Sequence, residues 1–299
     1  MTLFDTNQAG AAFSRSMGGN DSYEARRLKG PQVSKLDVVR VEPDGVREVS
    51  IPEGLSWFGP YLGHFAREVL EVGGEAYVSL EGGRVTGLYT YDGVEKTGAI
   101  YTRSRSVFDR FYRLRHFDSL FSEVGTGREG EVFVVHALDL RRRTVDHEFR
   151  HEVSVAAETD YEGVERFMAR AHPGMNRAWV RVALRSGDRC VIARAGDGIA
   201  GVGWLSLVAG VGRLHSLYVA PKFRGMGIGG DILGARLLWL WSSGARMAFS
   251  EISRQNRPSS AIAARAHMTK ASEVFLYSRM QGGKPSAPHL LGAPHLGQT

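Results

Sequence analysis

The chain of 299 residues carries a formal net charge of +6 at pH 7, with 43% hydrophobic and 23% charged residues. This composition excludes a largely disordered or fibrous protein, and the length predicts two domains, each able to bury its own core. No apolar run comes near the ~20 residues of a membrane helix, and the first residues lack the apolar block of a secretory signal, so we expect a cytoplasmic protein.

The single cysteine, Cys190, excludes an internal disulfide framework and any metal site built from several cysteines. Its apolar neighbours in the sequence predict a buried strand position rather than a reactive thiol. The positive charge comes mostly from arginine, and its densest cluster, residues 141–143, has no aromatic stacking platform beside it. The charge therefore establishes no nucleic-acid partner, and we expect no membrane association.

The sequence divides into four parts. Residues 1–35 and 281–299 are polar or rich in glycine and proline, and they predict a flexible arm and a flexible tail. Between them, residues 36–148 and 149–280 show the same order of elements, namely a strand, helices, a meander, a helix and a strand. We therefore predict an α+β protein of two similar units, each with a mixed, mainly antiparallel sheet flanked by helices.

In the first unit, β-branched and aromatic runs broken by Gly-Gly and Asp-Gly turns predict an antiparallel meander. Helical spacing of apolar residues predicts the two helices. The expected elements are a strand at 36–43, a helix within 56–72, meander strands within 75–104, a helix at 106–121 and a closing strand at 131–140.

In the second unit, Thr159 is a candidate N-cap followed by acidic residues in the first helical turn. Apolar residues at helical spacing include Trp239 and Trp241, and we expect one of them to pack against the sheet and the other against the first half or solvent. The expected elements are a strand at 152–160, helices within 159–172 and 176–187, hairpin strands within 190–221, a helix at 227–244, a strand at 247–253, a short helix and a last strand at 272–280.

The most informative segment, residues 214–230, joins an apolar strand to an apolar-periodic helix through a glycine-rich loop. Pro221 ends the strand because it cannot donate a ladder hydrogen bond. Four glycines between 225 and 230 let backbone N–H groups approach a ligand, and the first turn of the following helix attracts an anion. Arg224 adds a cation, but the lysine and Ser/Thr pair of a P-loop is absent. The segment predicts a phosphate-binding loop.

This loop resembles the signature of the GNAT superfamily of acyl-CoA-dependent N-acyltransferases. The run Arg224-Gly225-Met226-Gly227-Ile228-Gly229 follows the family pattern of Arg or Gln, two residues, Gly, one residue, and Gly or Ala. Asn256 and Pro258 resemble the family's fifth-strand region, and the resemblance covers about residues 152–279. It implies a GNAT-like fold, acetyl-CoA as acyl donor, no metal, and transfer of the acetyl group to a primary amine of a small molecule or peptide.

The resemblance also implies residue roles. A histidine aligned with His215 serves as general base in some similar enzymes, and an imidazole that titrates near pH ~6.5 can accept an ammonium proton directly or through water. The alternative is a structural histidine that only makes its hydrogen bonds on one face of the sheet. Glu251 points into the same region and is the second catalytic candidate, although it can equally form a structural pair. Backbone N–H groups at a bulge near Leu217–Val219 would polarise the thioester carbonyl. The expected cofactor-binding residues are Leu217, Tyr218, Val219, Arg224, Gly225, Met226, Gly227, Ile228, Gly229 and Asn256.

The chain departs from the family at the general acid. The family's frequent tyrosine, which protonates the leaving thiolate, falls at Ala263, and its Gly-aromatic pair falls at His267 and Met268. Tyr277 in the last strand is a substitute catalytic candidate, with core packing as the alternative. The departure supports a second hypothesis, a non-catalytic acyl-CoA sensor or interaction module.

Two further motifs point to other chemistries. The spacing of Gly225, Gly227 and Gly230 also fits a dinucleotide fingerprint, but in that fold the first glycine ends the strand almost at once. His147-Glu148-Phe149-Arg150-His151 is a literal H-E-x-x-H, the pattern of a zinc peptidase when it lies on a helix. The flanking residues have strand or linker character, so we expect a chance occurrence.

The acceptor and the first unit are less defined by the sequence. Glu158 and Asp160 lie in a strand-to-helix loop that borders the acceptor in the family, which makes a cationic small molecule or an amino terminus plausible. The first unit has no counterpart of the glycine signature. We interpret residues 36–148 as a degenerate GNAT-like domain that serves as a scaffold or as a wall of the acceptor site.

Overall fold

The computed structural model describes residues 36–41, 58–94, 96–114, 117–125, 130–142, 145–172 and 178–278. The expected arm at 1–35, the tail at 281–299 and Arg143 of the arginine cluster lie outside these residues.

The first half contains a curved meander covered by two helices. Its first helix follows a short 3-10 turn, Gly59–Tyr61, and presents Leu62, Phe65 and Val69 to the core. Its elements are β1 (Leu36–Val41), α1 (Leu62–Glu71), β2 (Glu75–Glu81), β3 (Arg84–Asp92), β4 (Thr97–Tyr101), α2 (Arg105–Phe111), β5 (Ser119–Ser122) and β6 (Glu131–Asp139).

The second half repeats this order of strands and has two more α-helices among the described residues. Two helices precede its meander, and Asp160 rather than Thr159 occupies the N-cap position of the first of them. Its elements are β7 (Val153–Val155), α3 (Tyr161–Ala171), α4 (Ala178–Arg185), β8 (Arg189–Ala195), β9 (Gly198–Val208), β10 (Val211–Val219), α5 (Ile228–Ser242), β11 (Met247–Ser253), α6 (Arg257–Arg265) and β12 (Thr269–Ser278).

The twelve strands of the described residues join one sheet in the order β1-β2-β3-β4-β5-β12-β6-β11-β10-β9-β8-β7. Within the described residues, β4–β5 and β10–β11 are the parallel pairs, one in each half, and the other neighbours are antiparallel. The expectation of a mixed, mainly antiparallel sheet in two similar units is confirmed.

The last strand of each half crosses to the other half. The strand β6, which we expected to close the first unit, pairs with β11 through Met247↔Asp139 and its neighbours, and with β12 on its other side. The strand β12 likewise pairs with β5 of the first half. The two units therefore share their central strands, since alternation in a sequence predicts a strand but does not identify its partner.

One predicted helix is wrong in its second part. The observed helix is shorter than the expected 106–121 and ends at Phe111. Its start is capped by Ser104, whose side chain accepts a hydrogen bond from Val107 N. Residues Ser119–Ser122 instead form β5, which is fully buried between β4 and β12. A short aromatic run fits either a helix or a buried strand, and here tertiary packing selects the strand.

Helices cover both faces of the second half. On one face α5 lies close to β9 because Gly201 and Gly203 have no side chains, and a Cβ at Gly203 would overlap Ile232. On the other face Val69 of α1 packs in one cluster with Trp179 of α4 and Trp204 of β9. The first half thus contributes a helix to the core of the second half.

Single residues follow the sequence-based expectations in most cases. Cys190 is buried in β8, and burial raises the pKa of its thiol far above the usual value. Trp239 packs against the α5 face of the core, whereas Trp241 is 42% exposed. None of the helices in the described residues has the length and apolar character needed to cross a bilayer.

Candidate functional site

The glycine loop precedes α5 and requires glycine for its conformation. Gly227 is the N-cap residue of α5 with φ +91°, and Gly225 has φ +78°, a region that L-residues with a Cβ rarely adopt. A Cβ at Gly225 would meet no atom within 4 Å, so the space in front of the loop is open. The N–H groups of the first turn of a helix lack intrahelical partners. The loop therefore offers backbone donors to an anion.

The strands β10 and β11 separate beside this loop. They pair only at residues 211–213 of β10, and β10 then has a bulge opposite β9 between His215 and Tyr218. Ser216 in the bulge has φ +49°. The separation leaves a cavity of about 60 Å³ between the strands, bordered by His215, Ser216 and Glu251 among others.

A larger cleft of about 1050 Å³ lies along the glycine loop and adjoins this cavity. Leu217, Asn256 and Ile262 border both spaces. All ten residues expected to bind the cofactor line the cleft, namely Leu217, Tyr218, Val219, Arg224, Gly225, Met226, Gly227, Ile228, Gly229 and Asn256.

Charged groups of both signs line the cleft, with the acidic residues Asp146, Glu148 and Asp231 on the side of residues 145–151 and α5, together with three arginines. Arg150, Arg224 and Arg265 are exposed and line it from three different segments of the chain. Arg224 Nε donates to Val219 O at 3.1 Å, which holds this side chain against the end of β10. Asn256 caps α6 by accepting from Ser259 N at 3.1 Å, which fixes the opposite wall. The cleft thus combines fixed walls with cations suited to phosphates.

His215 is placed at the bulge with its imidazole turned into the protein. Its Nε2 lies 3.2 Å from Asp188 Oδ2 and its ring packs edge-on to Trp179. Burial lowers the pKa of His215 to about 4, and Asp188 partly opposes this effect. The imidazole is therefore neutral at pH 7 and able to accept a proton.

Asp188 itself is 1% exposed and lies between two imidazoles. Its Oδ1 lies 3.4 Å from Nε2 of His64, which belongs to α1 of the first half. Burial raises the pKa of Asp188, but the hydrogen bonds with His215 and His64 outweigh burial, so the pKa is lowered overall. No local sequence pattern marks this group, because its members lie on three separate elements.

Glu251 borders the cavity but is held by a buried partner. Arg213 Nε donates to Glu251 Oε1 at 3.2 Å, and the Arg213 guanidinium lies over the Phe65 ring, 4.7 Å from its centre. Burial raises the pKa of Glu251, and Arg213 opposes the shift. Of the two interpretations from the sequence, this contact favours the structural pair.

A second buried arginine, Arg236 of α5, supports the bulge and was missed by the sequence analysis. Its Nη1 donates to Trp204 O at 3.0 Å and to His215 O at 3.2 Å. Burial lowers the pKa of Arg236 to about 9. The apolar periodicity of α5 gives no sign of this residue, whose guanidinium binds the backbone of both β9 and β10 next to the bulge.

Tyr277 lies far from the expected position. Its hydroxyl donates to Val124 O at 3.1 Å, and its ring packs in the aromatic core of the first half beside Tyr89 and Phe111. The interpretation of Tyr277 as a catalytic group is therefore corrected, because β12 crosses to pair with β5. Ala263, which replaces the family's tyrosine, does border the small cavity.

The H-E-x-x-H segment is not helical, as expected, and its histidines bind a carboxylate. Asp231 of α5 accepts from His147 Nε2 at 2.8 Å, from His151 Nδ1 at 2.7 Å and from the backbone N–H groups of Arg150 and His151. We name residues 145–151 the strap. It packs along α5 beside the glycine loop and forms one edge of the cleft.

The two acidic residues expected near the acceptor differ in their surroundings. Asp160 is paired with Arg194 and accepts from Ala157 N at 2.9 Å, so its charge is already matched. Glu158 is exposed at the start of the same turn. Neither of them lines the cleft.

Comparisons with known proteins concern the family and the fold. A model of the acetyltransferase (GNAT) family matches residues 150–267. A tandem GNAT protein from the clavulanic acid biosynthesis pathway is 14% identical with a TM-score of 0.53, over 84% of this chain and 99% of its own. A Drosophila protein is 11% identical with a TM-score of 0.59, over 81% of this chain and 98% of its own.

A third solved structure, a GCN5-related N-acetyltransferase from Sphaerobacter thermophilus, is 14% identical with a TM-score of 0.51, over 67% of this chain and 79% of its own. No curated protein matches the chain. At these identities the solved structures show a shared fold. The acetyltransferase (GNAT) family model matches residues 150–267 and therefore describes the second half of the chain.

Proposed function

We propose that the chain transfers an acetyl group from acetyl-CoA to a primary amine of a small molecule or peptide, by direct attack and without a metal. The observation that carries this proposal is a pair of adjoining spaces, one along the glycine loop at α5 and one at the bulge in β10, whose walls share Leu217, Asn256 and Ile262. The two spaces offer the two things that such a reaction needs, donors for a pyrophosphate and a polar site for a thioester.

In this proposal each wall of the cleft has one task. The backbone of Gly225–Gly229 and the Arg224 guanidinium hold the pyrophosphate, and Asn256 and the end of β10 hold the pantetheine arm. Acetyl-CoA supplies an activated acyl group as a thioester. Backbone N–H groups at the bulge stabilise the charge that develops on the carbonyl oxygen, a contribution worth ~10²-fold or more in rate.

His215 is the proposed general base. Its neutral imidazole can take the proton that an attacking amine releases, a role that contributes about 10²- to 10⁴-fold. Ala263 at the cavity offers no proton for the leaving thiolate, so the thiolate is expected to take its proton from solvent. The cytoplasmic location and the domain boundaries at 36–148 and 149–280 remain predictions from the sequence.

Titration calorimetry with acetyl-CoA tests the cofactor site. The wild-type chain should bind about one equivalent, and an Arg224→Ala, Gly227→Asp double variant should lose this binding. Release of free thiol from acetyl-CoA across a panel of amines then tests the transfer. No binding by a folded wild-type chain would contradict the proposal.

A sensor that binds acyl-CoA without turnover is the second candidate. Ala263 at the position of the family's general acid favours it, since the cavity lacks that proton donor. Binding of acetyl-CoA with no thiol release across the amine panel would support the sensor. Thiol release that depends on both the amine and His215 would exclude it.

A further inference from the structure

A row of buried polar groups leads from the cavity into the first half of the chain. Ser216 Oγ lies 3.3 Å from His215 Nδ1, and His215 Nε2 lies 3.2 Å from Asp188 Oδ2. The other carboxylate oxygen of Asp188 lies 3.4 Å from His64 Nε2. Ser216 and His215 border the cavity at the strand separation, whereas His64 lies on α1. The row therefore connects the proposed reaction site with a helix from the other half.

The geometry selects one tautomer of His215. A neutral imidazole carries one N–H, and the carboxylate of Asp188 can only accept a hydrogen bond. The N–H is therefore placed on Nε2, which leaves the lone pair of Nδ1 for the hydroxyl of Ser216. This order of hydroxyl, imidazole and carboxylate is the arrangement that carries a proton away from a reacting group.

Charged groups around the row come from four elements. Asp188 faces His215 from the turn before β8, Arg213 from β10 and Arg236 from α5. On α1, Glu68 Oε1 lies 3.6 Å from His64 Nε2. The two arginines disfavour a further positive charge on His215, so Asp188 is the group that makes proton uptake there feasible.

We propose that Ser216, His215 and Asp188 form a proton relay for the acceptor amine, and that His64 of the first half positions Asp188. This inference rests on the proposed acetyl transfer. It makes Ser216 the group that contacts the amine, and Asp188 and His64 positioning residues that act through His215. The first half is then a part of the catalytic machinery rather than a scaffold alone.

The bonds and protons of the relay and of the transfer reaction can be accounted for together. The amine nitrogen forms a bond to the acetyl carbon, and the carbon–sulfur bond breaks with its electron pair leaving on the sulfur of CoA. The amine loses one proton to Ser216 Oγ while the hydroxyl proton of Ser216 moves to His215 Nδ1. The imidazolium is stabilised by Asp188 and later returns its proton to solvent, and the thiolate takes a proton from solvent.

The first test measures the tautomer in the full chain without ligand. Histidine-specific ¹⁵N labelling and long-range ¹H–¹⁵N spectra report which ring nitrogen carries the proton, and a His215→Gln variant assigns the signals. We expect the Nε2–H tautomer for His215. Asp188→Asn should change this signal, whereas His136→Gln in β6, which does not border the cavity, should leave it unchanged. An Nδ1–H tautomer in the wild type would overturn the proposal.

The second test measures turnover and binding in the same variants. Ser216→Ala and Asp188→Asn should lower kcat by about 10²- to 10⁴-fold, the range of general acid–base catalysis. His64→Gln should lower it by about tenfold, the size of one pKa unit in the base. The calorimetric Kd for acetyl-CoA should stay unchanged in all three variants. A substitution that distorts the site would instead weaken this binding. Unchanged kcat in Ser216→Ala or in Asp188→Asn would overturn the relay.

Two outcomes separate this inference from the proposed function. If the wild type releases no thiol with any amine, the acetyl transfer fails, and the relay fails with it as a catalytic device even if the tautomer is found. If the wild type is active but the variants are equally active, the relay alone fails. Metal analysis completes the test, because ligand atoms of His64, Glu68 and Asp188 lie within 4.8 Å of one another. One bound divalent ion per chain would overturn the hydrogen-bonded arrangement.

Discussion

Arg213 and Glu251 form a buried ion pair beside the last position at which β10 and β11 stay together, with Arg213 Nε 3.2 Å from Glu251 Oε1. Both side chains are nearly inaccessible to water, at 3% and 1% exposure. The pair holds the two strands at the start of their separation. Its loss would therefore affect the cavity as well as the stability of the fold.

The substitution Glu251→Gln tests this pair. It leaves the Arg213 charge buried without its carboxylate, so we expect the free energy of unfolding to fall by about 3–5 kcal/mol in urea titrations. The double variant Arg213→Met, Glu251→Leu should lose less than Glu251→Gln alone, because no charge remains buried. If Glu251→Gln were fully stable yet inactive, the carboxylate would have a chemical role instead.

The positive φ of Gly227 predicts a substitution effect with a matched control. Gly227 at φ +91° and Gly196 at φ +59°, in the turn between β8 and β9, both face space where a Cβ meets no atom closer than 3.9 Å. Alanine at either should therefore cost about 1–2 kcal/mol of stability through backbone strain alone. Only Gly227→Ala should also weaken calorimetric binding of acetyl-CoA. Equal binding by both variants would contradict a role of the loop in binding.

Asp231 should matter for stability because it holds the strap. Its carboxylate accepts two side-chain and two backbone hydrogen bonds from residues 147–151. An amide at this position has an NH₂ group in place of one oxygen, and that group would face an N–H donor that it cannot bind. We expect Asp231→Asn to lower the free energy of unfolding by about 2 kcal/mol and to speed proteolysis within the strap. Asp139→Asn, which removes an exposed partner of Arg141, is the control and should change little.

Glu68 predicts a pH dependence of stability. Burial raises the pKa of Glu68 from 4.5 to about 7, and the opposing effect of His64 is smaller. The folded state binds this proton more tightly than the unfolded state, so the contribution is complete below about pH 4.5 and is lost as the pH rises through about 7. Glu68→Gln should therefore lose less stability than the wild type between pH 5 and pH 8, as measured by urea unfolding. An identical loss in both proteins would assign the pH dependence to other groups.

Local sequence signals predicted the parts of the site that are contiguous. The loop from Arg224 to Gly229 and the apolar-periodic helix behind it are one stretch of chain, so recognising the motif also located the phosphate end of the cleft. The repeated order of elements likewise predicted the mixed sheet in two similar units. These features depend on neighbours in sequence, which composition and periodicity describe well.

The same local signals do not predict contacts between residues that are distant in the sequence. His64 and Asp188 meet because α1 packs against α4 across the two halves, and no local pattern marks either residue. The exchange of β6 and β12 is equally invisible, since any buried strand can pair at either edge of a sheet. The misplacement of Tyr277 follows directly from that exchange, as β12 carries it into the first half.

The exchange of the final strands also constrains the order in which the sheet can form during synthesis. During synthesis the first half leaves the ribosome before β12, the neighbour of β5, has been translated. One edge of β5 therefore stays unpaired until β12 has been made. An uncovered strand edge is prone to pairing with other chains, and contacts of such sequence separation close slowly. Completion of the sheet therefore requires β12, and termination of synthesis before residue 269 would leave β5 without this neighbour.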